Sequence, residues 1–186
     1  MAGALILVDE FTISSPVSAV TIGGGSSGSS SYNFAIDSTY DVYQLVYNNV
    51  TTSTDGRNVA VRVTKSGTAD ATANYDYAYK VLNSTASFSN ANFDNENEWT
   101  YMFVDNVGTG TSEKAFGTSY LFNFHNASEY SFITADMVEM NLTPIAKGNV
   151  GGGVHTVASA SDGLYFFDDA GGNIESGTFK LYGLRK

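Results

Sequence analysis

The chain has no cysteine, only two prolines and two histidines, and nine basic residues against nineteen acidic ones. Each shortage closes a route. Without thiols, neither disulfides nor thiolate metal sites can help to hold the fold. A net charge of −10 removes any diffuse attraction for phosphate backbones or anionic lipid, so nucleic acid and membrane are not expected partners. No apolar run approaches the length needed to cross a bilayer. Met1 to Glu10 has no basic start, and its apolar run stops at Asp9 and Glu10; it reads as a first strand rather than a signal peptide. Charged residues make up 15% of the chain, below the usual quarter or so. Hydroxyls and amides must therefore cover much of the surface.

What is present points to a folded β domain. Hydrophobic residues at 42% and aromatics at 13% argue against disorder, and 186 residues suit one domain with a proper core. Apolar residues recur at period two almost throughout, as strands require. Val59, Val61 and Val63 alternate with Ala60, Arg62 and Thr64, and Phe179 and Leu181 alternate with Thr178, Lys180 and Tyr182. Tyr43, Leu45 and Tyr47 alternate with a second partly apolar set, Val42 and Val46, so that strand can be covered on both sides. Val138, Met140 and Leu142 read as an apolar face opposite Glu139 and Asn141. No long stretch sustains a helical stripe. The expected fold is an all-β antiparallel sandwich of about ten strands.

Turn signals divide the chain at Thr51–Gly56, Ser66–Asp70, Val107–Thr111 and Lys147–Asn149. Asn83 to Glu98 reads as the longest irregular stretch, and loops of that length usually contact something. Residues 23–31 are a Gly/Ser-rich segment, a surface loop or a flexible linker, between an N-terminal strand or arm (1–22) and the sandwich (32–186). Asp162–Phe167 and Gly177–Leu184, joined by a turn-rich loop, look like a closing hairpin.

Little supports catalysis. His125 and His155 sit in no metal-ligand spacing or nucleophile motif, and His155 reads as an edge-strand histidine. Asp94, Glu96 and Glu98 could act as paired carboxylates or, with Asp168 and Asp169, as calcium ligands, but solvated loops explain them more simply. Neither a metal site nor a cofactor is expected. Asn-x-Ser/Thr sequons at Asn49, Asn83, Asn126 and Asn141 are expected by chance in so Asn-rich a chain. Aromatic rows at Tyr75, Tyr77, Tyr79 and at Trp99, Tyr101, Phe103 suit a core, a subunit interface or stacking on sugar rings. The carbohydrate candidates are Asp94, Asn95, Glu96 and Asn97, with Trp99 and Tyr101 beside them.

Three segments carry a resemblance: Phe34–Arg57, with its Ile-Asp-Ser-Thr-Tyr-Asp and Thr-Ser-Thr-Asp runs; Asn74–Tyr77; and the closing Asn173–Gly183, Asn-Ile-Glu-Ser-Gly-Thr-Phe-Lys-Leu-Tyr-Gly. In this order the chain resembles small β-sandwich virion proteins of tailed phages of aquatic bacteria. The resemblance implies a jelly-roll-like sandwich, assembled as a homotrimer with other virion proteins at the particle surface, after synthesis in the host cytoplasm. It implies a non-enzymatic tail fibre or baseplate component that can contact host glycans, or alternatively a decoration (cement) protein of the capsid. The chain shows no long shaft, so docking is expected through residues 1–22 or one face of the sandwich.

Overall fold

The computed structural model describes residues 4–25 and 34–184. It is an antiparallel β-sandwich of two sheets, with thirteen strands where about ten were expected. In chain order these are β1 (Leu5–Thr12), β2 (Ala19–Gly23), β3 (Val42–Thr52), β4 (Arg57–Lys65), β5 (Thr68–Ala69), β6 (Tyr75–Asn83) and β7 (Ser89–Glu96). They continue with β8 (Trp99–Val107), β9 (Ala115–Phe122), β10 (Ser131–Met140), β11 (Ala146–His155), β12 (Gly163–Asp168) and β13 (Ile174–Leu184). The larger sheet runs β1-β13-β3-β9-β10-β11-β6-β7. The smaller runs β2-β12-β4-β5, with β8 also paired to β4. No helix occurs among the described residues.

The valines at 59, 61 and 63 all point into the core, as do Phe179 and Leu181. Across the sandwich, Phe166 of the smaller sheet meets Phe179 of the larger with ring centroids 4.9 Å apart. The Tyr47 hydroxyl donates to the Phe103 carbonyl at 2.7 Å, also across the sheets. Each such buried side chain contributes about 1.5–3 kcal/mol relative to exposure, and the buried tyrosine hydroxyl has its required acceptor.

Both ends of the chain are woven into the two sheets. Within the 1–22 segment, β1 pairs β13 in one sheet and β2 pairs β12 in the other. The described residues of the segment are therefore part of the sandwich, as the strand reading of 1–22 has it. Of residues 23–31, only Gly23 to Gly25 lie within the described residues. The last two strands are not a hairpin: β12 lies between β2 and β4, whereas β13 lies between β1 and β3. Asp168 shapes the crossing between sheets, its Oδ1 accepting the Ala170 N–H at 2.9 Å.

Three local readings are also corrected. On β10 the core face is Ile133, Ala135, Met137 and Glu139, leaving Val138 54% exposed; the apolar face had been read one residue out of phase. Lys147–Asn149 is no turn but lies inside β11, paired on both sides. Asn83–Glu98 is mostly the β6–β7 hairpin rather than a loop, and its polar strand β7 forms a sheet edge, where polar side chains discourage further pairing. On β3, Asn49 takes φ 56° at a register shift. That bulge turns Val50 inward, although simple alternation from Tyr47 puts it outside.

Candidate interaction surface

The proposed carbohydrate residues separate into two groups. Asp94, Asn95 and Glu96 are exposed on β7, and Asn97 is exposed in the turn that follows. Their segment is tied down: the Asn95 N–H donates to Asp76 Oδ1 at 2.8 Å, and Arg62 Nε donates to the Asn97 carbonyl at 3.1 Å. Arg62 also bonds Glu98 at 2.8 Å. Trp99 and Tyr101 face the other way. Trp99 is fully buried, edge-on to Tyr75 at 5.0 Å. Tyr101 is half-buried beneath Phe93, at 5.5 Å. Trp99 thus offers no ring face to a sugar, which removes it from the candidate site.

Glycine explains how so large a side chain fits. A Cβ on Gly153 of β11 would lie 2.6 Å from Trp99 Nε1 and 3.0 Å from Met102 Cε, well inside the 3.5–4.0 Å of normal contact. The glycine leaves room for the indole. The Tyr75, Tyr77 and Tyr79 row is core too, with Phe93 stacked on Tyr77 at 4.7 Å. Burial raises all three phenols, Tyr77 to about 12.

His155 is wholly buried at the end of β11, with Nε2 3.4 Å from Asp70; it is a core residue rather than an edge one. Burial pulls its imidazole down to about 4, with Lys65 acting in the same direction and Asp70 against it. Asp94, Glu96 and Glu98 do not converge on a metal position: among the described residues no group of three or more His, Asp or Glu could hold an ion.

The outward face of the larger sheet is more distinctive. Phe116, Tyr120 and Phe122 of β9, Phe132 and Val138 of β10, and Val150 of β11 are all substantially exposed there. The ladders place them in register: Phe122 opposes Phe132, and Phe116 opposes Val138. Gly152, also facing outward, floors a shallow depression walled by Phe122, Phe132 and Asn92. Asp136, Thr118 and Thr134 lie between the Phe122/Phe132 and Phe116/Val138 groups, and exposed apolar clusters of this kind, rimmed by polar residues, mark association surfaces. Of the apolar residues on this face only Val138 is singled out by sequence periodicity, as part of an apolar face with Met140 and Leu142. The available signal was that β9 carries Phe116, Tyr120 and Phe122 on one parity and Leu121 on the other, so that neither face is wholly polar, unusual for an antiparallel strand wetted on one side.

The chain has no match among family models, curated proteins or solved structures. No helix among the described residues is long and apolar enough to cross a membrane.

Proposed function

We propose that this chain is a non-enzymatic structural protein of a phage particle, exposed at the surface as a tail fibre or baseplate component and working as a homotrimer. The observation that carries the reading is the apolar outward face of β9, β10 and β11. Side chains such as Phe132 and Val138 gain about 25 cal/mol for each Å² of apolar surface removed from water, so a second subunit is a natural cover. Closed symmetry also protects sheet edges such as β7. The sequence resemblance supplies the particle context and the copy number of three. Host surface glycans would be contacted through the exposed Asp94, Asn95, Glu96 and Asn97, by hydrogen bonding and without stacking on Trp99.

One observation favours the second reading, a decoration protein cementing the capsid lattice. The segment expected to be an adhesive loop is an edge strand pinned by Asp76 and Arg62, better suited to lying against a neighbour than to searching for a ligand. Copy number in purified virions, read from a stained gel against the major capsid protein, separates the two. A few copies per particle support the tail role. Stoichiometry matching the capsid lattice supports the cement role, and absence from washed virions refutes both.

A further inference from the structure

A second feature lies between the sheets. Asp105 is on β8, paired with the smaller sheet, and Lys147 is on β11 of the larger one. Yet Lys147 Nζ lies 2.5 Å from Asp105 Oδ2, with both side chains largely withdrawn from water. Asn149 Nδ2 donates to the same carboxylate oxygen at 3.0 Å and to the Tyr101 carbonyl at 2.6 Å, which fixes the carboxylate's orientation. A second acid stands against this pair. Glu139 of β10 is directly opposite Lys147 in the ladder and 2% exposed. Its Oε2 accepts the Asp105 N–H at 3.0 Å, while its buried Oε1 has no hydrogen-bond partner among the described residues.

As a stabilising ion pair this is a costly arrangement. Withdrawing charges from water is unfavourable, and the pair's own attraction often fails to recover that cost. A second buried carboxyl group adds to that cost. The same geometry is well suited to covalent chemistry, because an amine, a carboxyl carbon and a proton-transfer group are held together in a site of low water content.

We propose that Lys147 and Asp105 become joined by an isopeptide bond formed autocatalytically inside the folded domain, with Glu139 transferring the proton. Proton transfer within the contact pair yields a neutral amine and a neutral carboxylic acid. The Lys147 nitrogen lone pair attacks Asp105 Cγ, forming the N–C bond of a tetrahedral intermediate. Glu139 takes a proton from that nitrogen and delivers one to the hydroxyl on Cγ; the C–O bond breaks and one water leaves. Amine and acid become amide and water, so no oxidant, reductant or cofactor is consumed. Burial raises Glu139 to about 8, reinforced by repulsion from Asp105 and opposed by the Asp105 N–H and Lys147. At neutral pH the protonated form therefore predominates, held beside the pair by the Asp105 N–H. The bond would staple β8 to β11, and so one sheet to the other, in a chain that has no cysteine for the purpose.

The test is the intact mass of the full-length chain. The folded protein should be lighter than its sequence by one water, and proteolysis should release a branched peptide joining the segments around Asp105 and Lys147. Lys147→Arg and Glu139→Ala should each restore the full sequence mass. Asp105→Asn should instead lose one ammonia, since the amide then leaves as the nitrogen base. Full sequence mass in the wild-type protein overturns the proposal. So does a water loss that persists in Lys147→Arg, which would reflect cyclic imide formation at Asp55-Gly56 or Asp162-Gly163.

Discussion

Replacing Gly153 by alanine is expected to cost far more than the same change one residue earlier. At Gly153 the new methyl points between the sheets, 2.6 Å from Trp99 Nε1 and 3.0 Å from both Trp99 Cδ1 and Met102 Cε. Trp99 and Met102 are both fully buried, so neither can swing into solvent, and gaps of nearly 1 Å must be opened within the core. Overpacking of this kind costs about 1–3 kcal/mol. Removing a glycine restores roughly 0.5–1 kcal/mol through the less flexible unfolded chain. The net loss is about 0–2.5 kcal/mol, or up to roughly 10 °C in Tm at 2–4 °C per kcal/mol for domains of this size. Gly152 faces outward, and a methyl there meets only the Ile133 carbonyl oxygen, at 3.1 Å; its variant should stay within about 0.5 kcal/mol of the parent. Thermal melts followed by tryptophan fluorescence compare the two, Trp99 being the single tryptophan. Equal Tm values for the two variants would refute the packing argument, and a greater loss at Gly152 would reverse it.

Two other perturbations follow from the fold and its buried histidine. Deleting Gly177 to Lys186 removes most of β13, which lies between β1 and β3; no soluble folded protein should be recovered, and a cooperative melt from the truncated chain would contradict this. The buried His155 imidazole sits at about 4 in the fold against about 6.5 unfolded. The unfolded chain thus binds more protons through this window, so the contribution is complete above pH 6.5 and is lost as pH falls toward 4. At full extent it amounts to about 3 kcal/mol. Asp70, held low by Lys65 and Thr72 hydrogen bonds that outweigh its burial, loses its contribution only at more acid pH. Glu139 acts with opposite sign, its raised value lowering stability as pH rises toward 8. Denaturant melts of wild type and His155→Gln isolate the histidine, since only the wild type should lose this increment between pH 6.5 and 4; parallel pH profiles would contradict it.

Strand positions were legible where one face was apolar and the other polar, as at Val59–Val63 and Phe179–Leu181. They were illegible where the core accepted a polar residue. Glu139 is buried because Asp105 and Lys147 stand beside it, and assuming that a glutamate faces water shifted the β10 face by one residue. Strand β7 was hidden because both its faces are nearly all polar, with only Ala91 and Phe93 turned inward. Gly148 read as a turn residue, yet β11 uses it inside a strand together with Gly151, Gly152 and Gly153. Gly151 shows why: a Cβ there would lie 2.2 Å from the Ala78 carbonyl oxygen. The β12–β13 connection has the composition of a hairpin loop, and composition does not distinguish a turn within one sheet from a crossing between two. As for the candidate site, Asp94 to Asn97 were placed at the surface as expected. Trp99 was not, because room for an indole depends on a glycine more than fifty residues away in the chain.

Sedimentation velocity of the wild-type chain beside a Val138→Asp, Val150→Asp double variant tests the association surface most directly. Both valines are outward-facing and about half exposed, so the changes should leave the fold and its circular dichroism intact while adding charge to the patch. The account predicts a closed trimer for the wild type at micromolar concentration and a folded monomer for the variant. A wild-type monomer, or a variant trimer as stable as the parent, would contradict it.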